Sequence, residues 1–197
     1  MPITIVPANE ASWDDLAAIF GERGDPGTCQ CQWFKVPASE FRKVSREEYA
    51  TRLKEQTACG HPSAKSTSGI VAYLDGEPVG WCAVEPRTQY VRLQSQRIPW
   101  AGRSEAKDDD GVWSVTCFVV RKGFRKQGIS RALAAATADF ARTRGARAIE
   151  GYPMITEPGK EVIWGQLYVG SVSIFEAAGF REVSRPTPRR AVMRIDF

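Results

Sequence analysis

The sequence lacks a long hydrophobic run and a basic leader, and both absences limit where the protein can reside. Its first residues, Met1-Pro-Ile-Thr-Ile-Val-Pro7, carry neither the charged segment nor the apolar stretch of a signal peptide or membrane anchor. Five cysteines, an odd number, do not suggest a disulfide framework and fit a reducing compartment. We therefore expect a cytoplasmic protein that does not bind membranes.

A basic stripe is lacking as well. The chain has 27 Lys and Arg against 23 Asp and Glu, and these charges are interleaved along it. Nucleic-acid-binding proteins usually concentrate basic residues on one face, so no nucleic-acid partner is expected. With 197 residues, the chain is long enough for one well-buried core. We expect a single domain over residues 1–197.

Histidine is almost missing, which limits both metal sites and general bases. The only histidine, His61, lies between a glycine and a proline, and we interpret it as a solvated loop residue. Together with Cys59, Cys29 and Cys31 it offers four ligands, formally enough for tetrahedral zinc. Both pairs are more tightly spaced than usual zinc motifs, and small cysteines are common in cores. No metal site is predicted.

Apolar periodicity predicts alternating strands and helices. Helices are predicted over residues 13–20, from Ser45 onward, 129–144 and 171–178. Strands are predicted over residues 3–7, 69–74, 79–85, 112–121, 147–152, 180–183 and 191–195. Charged residues dominate 87–111, which we expect to be a solvated, mobile loop, and a further loop runs through Pro158 and Gly159. The fold class is α/β, with a mixed, mainly antiparallel sheet flanked by helices.

The segment Arg125-Lys-Gln-Gly128-Ile-Ser130 links the predicted central strand at 112–121 to the helix at 129–144. The first N–H groups of a helix have no intrahelical partner, and the helix dipole adds positive potential there. Gly128 lets a ligand approach the backbone, while Arg125 and Ser130 add donors for phosphate oxygens. The segment therefore predicts an anion site suited to a diphosphate, although it has neither GxxxxGK[ST] nor GxGxxG spacing.

The same segment resembles the signature [RQ]-x-x-G-x-[GA] of the GCN5-related N-acetyltransferase superfamily and departs from it only at Ser130. Downstream, Ser173-Ile-Phe-Glu-Ala-Ala-Gly-Phe180 is similar to the family's late helix and closing Gly-Phe pair. The resemblance implies the family's fold and an N-acetyltransferase that uses acetyl-CoA as co-substrate.

The resemblance also implies which residues bind that co-substrate. Pantetheine would receive backbone groups from one strand segment: Phe118, Val119 and Val120. The pyrophosphate would be held by the following loop: Arg125, Lys126, Gln127, Gly128, Ile129 and Ser130. A backbone N–H of the strand would stabilise the oxyanion formed during acyl transfer.

At the positions where the family often has its proton-transfer groups, this sequence has other residues. Where the family often has a glutamate base, this sequence has Ser114, so Glu150 is our candidate base if partial burial raises its pKa. The alternatives are that Glu150 is a carboxylate at the sheet rim, and that Glu85, which we expect at the surface, acts instead. Phe175 replaces a frequent tyrosine acid, so Tyr168 is the candidate acid; its alternative role is packing against the cofactor or core.

The acceptor is the least determined part of the prediction. We expect a primary amine on a small molecule, with a protein lysine or N-terminus as the alternative. A catalytically quiet acyl-CoA sensor is the alternative from another class, and a homodimer is left open. An aromatic-rich segment, residues 30–34, is a candidate lining for the acceptor pocket together with four tryptophans that equally fit a core role: Trp81, Trp100, Trp113 and Trp164.

Overall fold

The computed structural model describes residues 2–156 and 164–197, so the predicted loop through Pro158 and Gly159 lies outside the described residues. Seven strands form one sheet in the order β1-β2-β3-β4-β5-β7-β6. The strands are β1 (Ile3–Pro7), β2 (Gly69–Leu74), β3 (Glu77–Pro86), β4 (Val112–Val120), β5 (Ala148–Gly151), β6 (Arg181–Thr187) and β7 (Arg190–Asp196). Only β4 and β5 are parallel among these neighbours, which confirms the predicted mixed, mainly antiparallel sheet.

Helices flank both faces of this sheet. They are α1 (Trp13–Phe20), α2 (Gly24–Cys29), α3 (Arg46–Thr57), α4 (Val91–Ser95), α5 (Ile129–Arg142) and α6 (Val172–Ala177), with 3₁₀ turns at Ala8–Glu10, Arg87–Gln89 and Trp164–Val169. No helix within the described ranges has both the length and the apolar character needed to cross a membrane.

The central strand β4 separates two hydrophobic layers. On one face, Val115 and Phe118 pack in a cluster that includes Leu133 of α5. On the other face, Val119 belongs to a cluster that includes Leu16 of α1. Burial on both faces explains why β4 reads as a nearly continuous apolar run.

Local sequence signals fix several element ends. The hydroxyl of Ser12 accepts from the N–H of Asp15 at 3.1 Å, and the Asp15 carboxylate accepts from the Ser12 N–H at 3.0 Å, which starts α1. The hydroxyl of Ser45 likewise accepts from a backbone N–H at the start of α3. Asp75 and Gly76 both have positive φ, 51° and 84°, as the two-residue turn between β2 and β3 requires. The predicted helix starts near residues 13 and 45 are confirmed, whereas β3 begins two residues before the predicted strand at 79–85.

The expectation of a solvated loop over 87–111 is wrong for its first part. Residues 87–95 form a 3₁₀ turn followed by α4, with Tyr90 and Leu93 buried. Arg87 is 0% exposed because its guanidinium lies against the carboxylates of Glu105 and Glu150. The charged composition of this segment therefore gave a wrong prediction, because Arg87 is paired with carboxylates inside the protein.

Candidate functional site

The two central parallel strands separate halfway along β4. Their pairing runs from Val112 opposite Ala148 to Val115 opposite Gly151, where β5 ends. β4 continues to Val120, paired on its other side with β3. A gap therefore opens beside the last five residues of β4.

Backbone groups of β4 point into this gap in alternation. The N–H of Arg121, which follows β4, donates to the carbonyl of Val79 in β3 at 2.9 Å. Arg121 and Val79 therefore form a hydrogen-bonded pair of the antiparallel ladder. Bonded and non-bonded pairs alternate along an antiparallel ladder. The register then assigns Phe118 and Val120 to non-bonded pairs, and their N–H and C=O groups face away from β3 into the gap.

A cavity of about 500 Å³ extends from the gap to the start of α5. It is lined by Phe118, Val120, Phe124, Arg125, Lys126, Gly128, Ile129, Ser130, Arg131, Leu167, Tyr168, Gly170, Ser171 and Ile174. Gly128 is the N-cap of α5 with φ of 82°, and a Cβ there would meet no atom within 4 Å. Its backbone therefore borders open space at the helix N-terminus, as the sequence predicted.

The chemistry of this cavity suits an anion. Because α5 has no side-chain cap, the N–H groups of its first turn have no partner from a capping residue. Three cationic side chains, Arg125, Lys126 and Arg131, line the same space. Positive helix potential, backbone donors and cations together match the needs of phosphate oxygens.

The structure brings together most of the residues predicted to bind the co-substrate. Seven line this first cavity: Phe118, Val120, Arg125, Lys126, Gly128, Ile129 and Ser130. Val119 does not line the first cavity, because its backbone pairs with β3 and its side chain lines a second cavity. Gln127 also differs, since its amide donates to the Gly123 carbonyl at 3.3 Å and it is absent from the lining.

The second cavity, of about 660 Å³, lies on the opposite face of β4. Cys117 and Val119 provide its β4 side. Most of the remaining apolar lining comes from Phe20, Trp33, Phe34, Phe41, Met154 and Val169. Two aromatic residues of the 30–34 segment, Trp33 and Phe34, line it, whereas Trp81 is only 1% exposed and packs in the core. The Trp164 side chain lies outside the described part of the chain.

Tyr168 lines both cavities. It lies in the 3₁₀ turn across the gap from β4, and its ring is half-buried. Burial, followed by the negative charge of Asp25, raises the pKa of the Tyr168 phenol above its usual value. The phenol therefore keeps its proton at neutral pH at the point where the two cavities meet.

Glu150 lies in neither cavity lining. Its carboxylate is 0% exposed and accepts hydrogen bonds from Arg103, Arg194 and, at 3.4 Å, Arg87. Tyr152 donates a further hydrogen bond at 3.1 Å. The expected raised pKa is wrong: burial alone would raise it, but the arginine hydrogen bonds and charges hold the pKa of Glu150 below its usual value. The alternative of a rim carboxylate is also wrong.

Glu85 and the two residues that replace the family's usual base and acid, Ser114 and Phe175, are also largely shielded from solvent. Glu85, expected at the surface, has a side chain only 13% exposed beside Lys35, and burial raises the pKa of its carboxyl. Phe175 is 0% exposed and packs edge-on against Phe118 and Phe180, with ring centroids 5.9 and 5.0 Å away. The Ser114 hydroxyl hydrogen-bonds the hydroxyl of a buried tyrosine at 3.0 Å.

The four residues considered for zinc are not assembled. Across residues 2–156 and 164–197, no three His, Cys, Asp or Glu side chains lie together in a way that could hold a metal ion. The Sγ of Cys31 instead accepts from the Trp81 indole at 3.2 Å. The His61 carbonyl accepts from the amide of Asn9 at 3.3 Å, which fixes that turn.

Comparison with known proteins agrees with this geometry. The model of the acetyltransferase (GNAT) family matches residues 31–152, well over half of the chain. The protein therefore belongs to the GNAT family, which confirms the resemblance drawn from Arg125 to Ser130. A search of curated proteins gives no match.

Solved structures share the fold at low sequence identity. A structure described as an acetyltransferase has a TM-score of 0.56 at 18% identity, with 98% of each chain covered. A GCN5-related N-acetyltransferase from Kribbella flavida has a TM-score of 0.52 at 19% identity, covering 99% of this chain and 98% of its own. The yncA protein of Salmonella typhimurium, solved with acetyl-CoA, has a TM-score of 0.54 at 14% identity and coverages of 98% and 93%.

Sequence reasoning missed three charged residues of the second cavity: Asp25, Arg189 and Arg190. Asp25 belongs to α2, which the sequence did not predict because its two glycines and proline are poor helix formers. The two arginines lie at the turn between β6 and β7, more than 160 residues later. No short-range spacing could have connected them.

Proposed function

We propose that the protein is an acetyl-CoA-dependent N-acetyltransferase that acts on a primary amine of a small molecule. The observation that carries this proposal is the pair of cavities on opposite faces of β4, which meet at Tyr168. A donor in one cavity and an acceptor in the other would reach each other only at this junction. Direct transfer between two bound substrates requires such an arrangement.

The first cavity is the proposed donor site. The diphosphate of acetyl-CoA would bind the first turn of α5 and the cations around Gly128, while pantetheine would extend along the gap beside β4. The inward-facing backbone groups of Phe118 and Val120 offer pantetheine the hydrogen bonds that β5 does not make there. The acetyl-CoA found in the yncA structure supports this choice of donor within a shared fold.

The proposed reaction forms a carbon–nitrogen bond and breaks the thioester carbon–sulfur bond. A neutral amine attacks the acetyl carbonyl, and an N–H of β4 stabilises the resulting oxyanion. As the thiolate of CoA departs, the phenol of Tyr168 donates its proton to the sulfur. The raised pKa of Tyr168 supports this role, because the donor must be protonated beforehand.

The amine must lose a proton before or during attack. Glu150 is a poor acceptor for it, because three arginines lower the pKa of its carboxyl. Of the two glutamates considered, Glu85 has the raised pKa that the step needs. Glu85 lines neither cavity, so a water molecule would have to carry the proton to it.

The size of the second cavity supports a small acceptor over a protein. Its volume of about 660 Å³ falls within the range typical of small-molecule sites, roughly 300–1,000 Å³. Its lining combines aromatic residues from α1 and from the segment after α2 with two arginines at the β6–β7 turn. A lysine on a folded protein would need an open groove.

A catalytically quiet acyl-CoA sensor is the second candidate. It is favoured by Ser114 and Phe175, which stand where proton-handling groups occur in the family and are engaged in buried contacts. Incubating the protein with acetyl-CoA and an amine library, with mass-spectrometric detection of acetylated products, separates the two. Product formation supports the enzyme, whereas tight CoA binding in calorimetry without any product supports the sensor. Absence of CoA binding would contradict both.

A further inference from the structure

The second cavity contains a cation, Arg190, that has no acidic partner among the described residues. Arg190 is half-buried at the start of β7 and lines this cavity. Its Nε and Nη2 donate to the carbonyl of Tyr152 at 3.2 and 2.6 Å. No carboxylate within the described ranges pairs with it, and desolvation lowers the pKa of Arg190. A partly desolvated guanidinium with only a neutral partner favours an anionic ligand.

The described lining of this cavity carries charges of both signs. Arg189, exposed beside Arg190, donates to the Gln166 side chain at 2.7 Å and adds positive charge to the same rim. Asp25 provides the negative charge of the described lining, close enough to Tyr168 to raise the pKa of its phenol. The acidic group thus lies near the junction with the donor cavity, and the basic pair lies along the β6–β7 turn.

Aromatic side chains form much of the wall of this cavity. Trp33 and Phe41 pack edge to face, with ring centroids 4.8 Å apart, and both line the cavity. Phe20 and Phe34 contribute further apolar surface. Such a wall suits an aromatic or branched apolar body.

We propose that the acceptor is an amino-acid-like amine: an amino group, an apolar or aromatic body, and a carboxylate bound by Arg190. This inference rests on the proposed acetyltransferase function and specifies its substrate class. The amino group lies toward Asp25 and Tyr168, where its positive charge is stabilised before it loses a proton. A polycationic amine is disfavoured, because it would bring further positive charge to Arg189 and Arg190.

Matched acceptors test the carboxylate requirement. We compare L-phenylalanine with L-phenylalaninamide and 2-phenylethylamine, which keep the amine and ring but lack the carboxylate, and measure kcat/KM at saturating acetyl-CoA. The expected preference for L-phenylalanine is at least about tenfold, as for loss of one charge-assisted hydrogen bond. Equal rates for the three amines, or faster acetylation of the two without a carboxylate, would overturn the proposal.

A substitution of Arg190 tests whether this residue causes the preference for an acceptor that carries a carboxylate. Arg190→Gln should lose most of the preference for L-phenylalanine over 2-phenylethylamine while retaining CoA affinity. The matched control is Arg185→Gln, since Arg185 is exposed, pairs with Glu182 and is absent from the cavity lining. The control should keep the wild-type preference. A full preference in the Arg190→Gln protein would overturn the assignment, and thermal unfolding verifies that both variants fold.

A binding measurement keeps this inference separate from the proposed function. If no amine is acetylated although CoA binds, the enzymatic proposal fails, but calorimetry with N-acetyl-L-phenylalanine and its methyl ester still tests the carboxylate site. Tighter binding of the free acid by wild type, abolished in Arg190→Gln, supports the site. Equal affinity for acid and ester, or no binding of either, overturns it.

Discussion

Replacing Glu150 by glutamine should destabilise the protein substantially. The substitution keeps the size of the side chain but removes the charge that faces Arg87, Arg103 and Arg194. Arg87 is fully buried. Glu105 also contacts all three arginines, at 3.1, 2.9 and 3.0 Å, but its side chain is 37% exposed, so it compensates their charge less than the buried Glu150 does. Removing one partner of a buried ion pair costs about 3–5 kcal/mol. Because a chain of this size loses roughly 2–4 °C per kcal/mol, Tm should fall by about 10 °C.

The pH dependence of this loss has a definite sign. The pKa of Glu150 is lowered in the folded protein from its usual 4.5, so its ionised form stabilises the fold. That stabilisation is fully present above the unfolded pKa and is lost as pH falls through the folded pKa. The stability difference between wild type and Glu150→Gln should therefore be constant from about pH 6 to 7 and shrink below about pH 4.5.

Urea unfolding followed by circular dichroism measures both effects. The matched control is Glu182→Gln, because Glu182 pairs with Arg185 at 2.7 Å on the surface, where an ion pair contributes little to stability. A Glu150→Gln protein no less stable than this control would refute the ion-cluster interpretation. Loss of turnover with unchanged stability would instead restore Glu150 as a candidate base.

Three further substitutions test the site and the core. Gly128→Val should weaken CoA binding at least about tenfold in calorimetry, whereas Gly123→Val, which shares the positive φ and open surroundings but not the cavity lining, should not. Tyr168→Phe should lower kcat about 100-fold with CoA affinity retained; an unchanged kcat contradicts its acid role, and Tyr73→Phe is the control. Phe175→Ala should cost about 3–5 kcal/mol in urea unfolding, and a loss below about 1 kcal/mol contradicts its core position.

Elements with short-range signals could be predicted from the sequence. The capping box at Ser12 and Asp15 and the turn at Asp75 and Gly76 each involve residues no more than three positions apart. The anion loop at Arg125 to Ser130 is equally local, since one strand end and one helix start determine it. The helix over residues 13–20, the break between the strands at 69–74 and 79–85, and the anion loop were therefore predictable without tertiary contacts, although the role of Asp15 in the capping box was not predicted.

Features built from distant residues could not be predicted. The contact between Arg87 and Glu150 spans 63 positions, so the sequence offered no reason to assign a paired, ionised carboxylate. Because this contact could not be foreseen, residues 87–95 were also predicted to be exposed to solvent. The second cavity likewise joins Asp25 to Arg190, and only the fold brings these segments to one side of β4. The first cavity was therefore predictable, whereas the second was not.

The separation of β4 from β5 has a consequence for backbone dynamics. Amides such as those of Phe118 and Val120 have no strand partner on the gap side, although they lie in the middle of the sheet. Their hydrogens should exchange with solvent deuterium far faster than that of Val119, which bonds to β3. Occupation of the gap by a ligand would slow exchange at these alternate positions alone, so that a two-residue periodicity in deuterium uptake would record where the ligand lies along the strand.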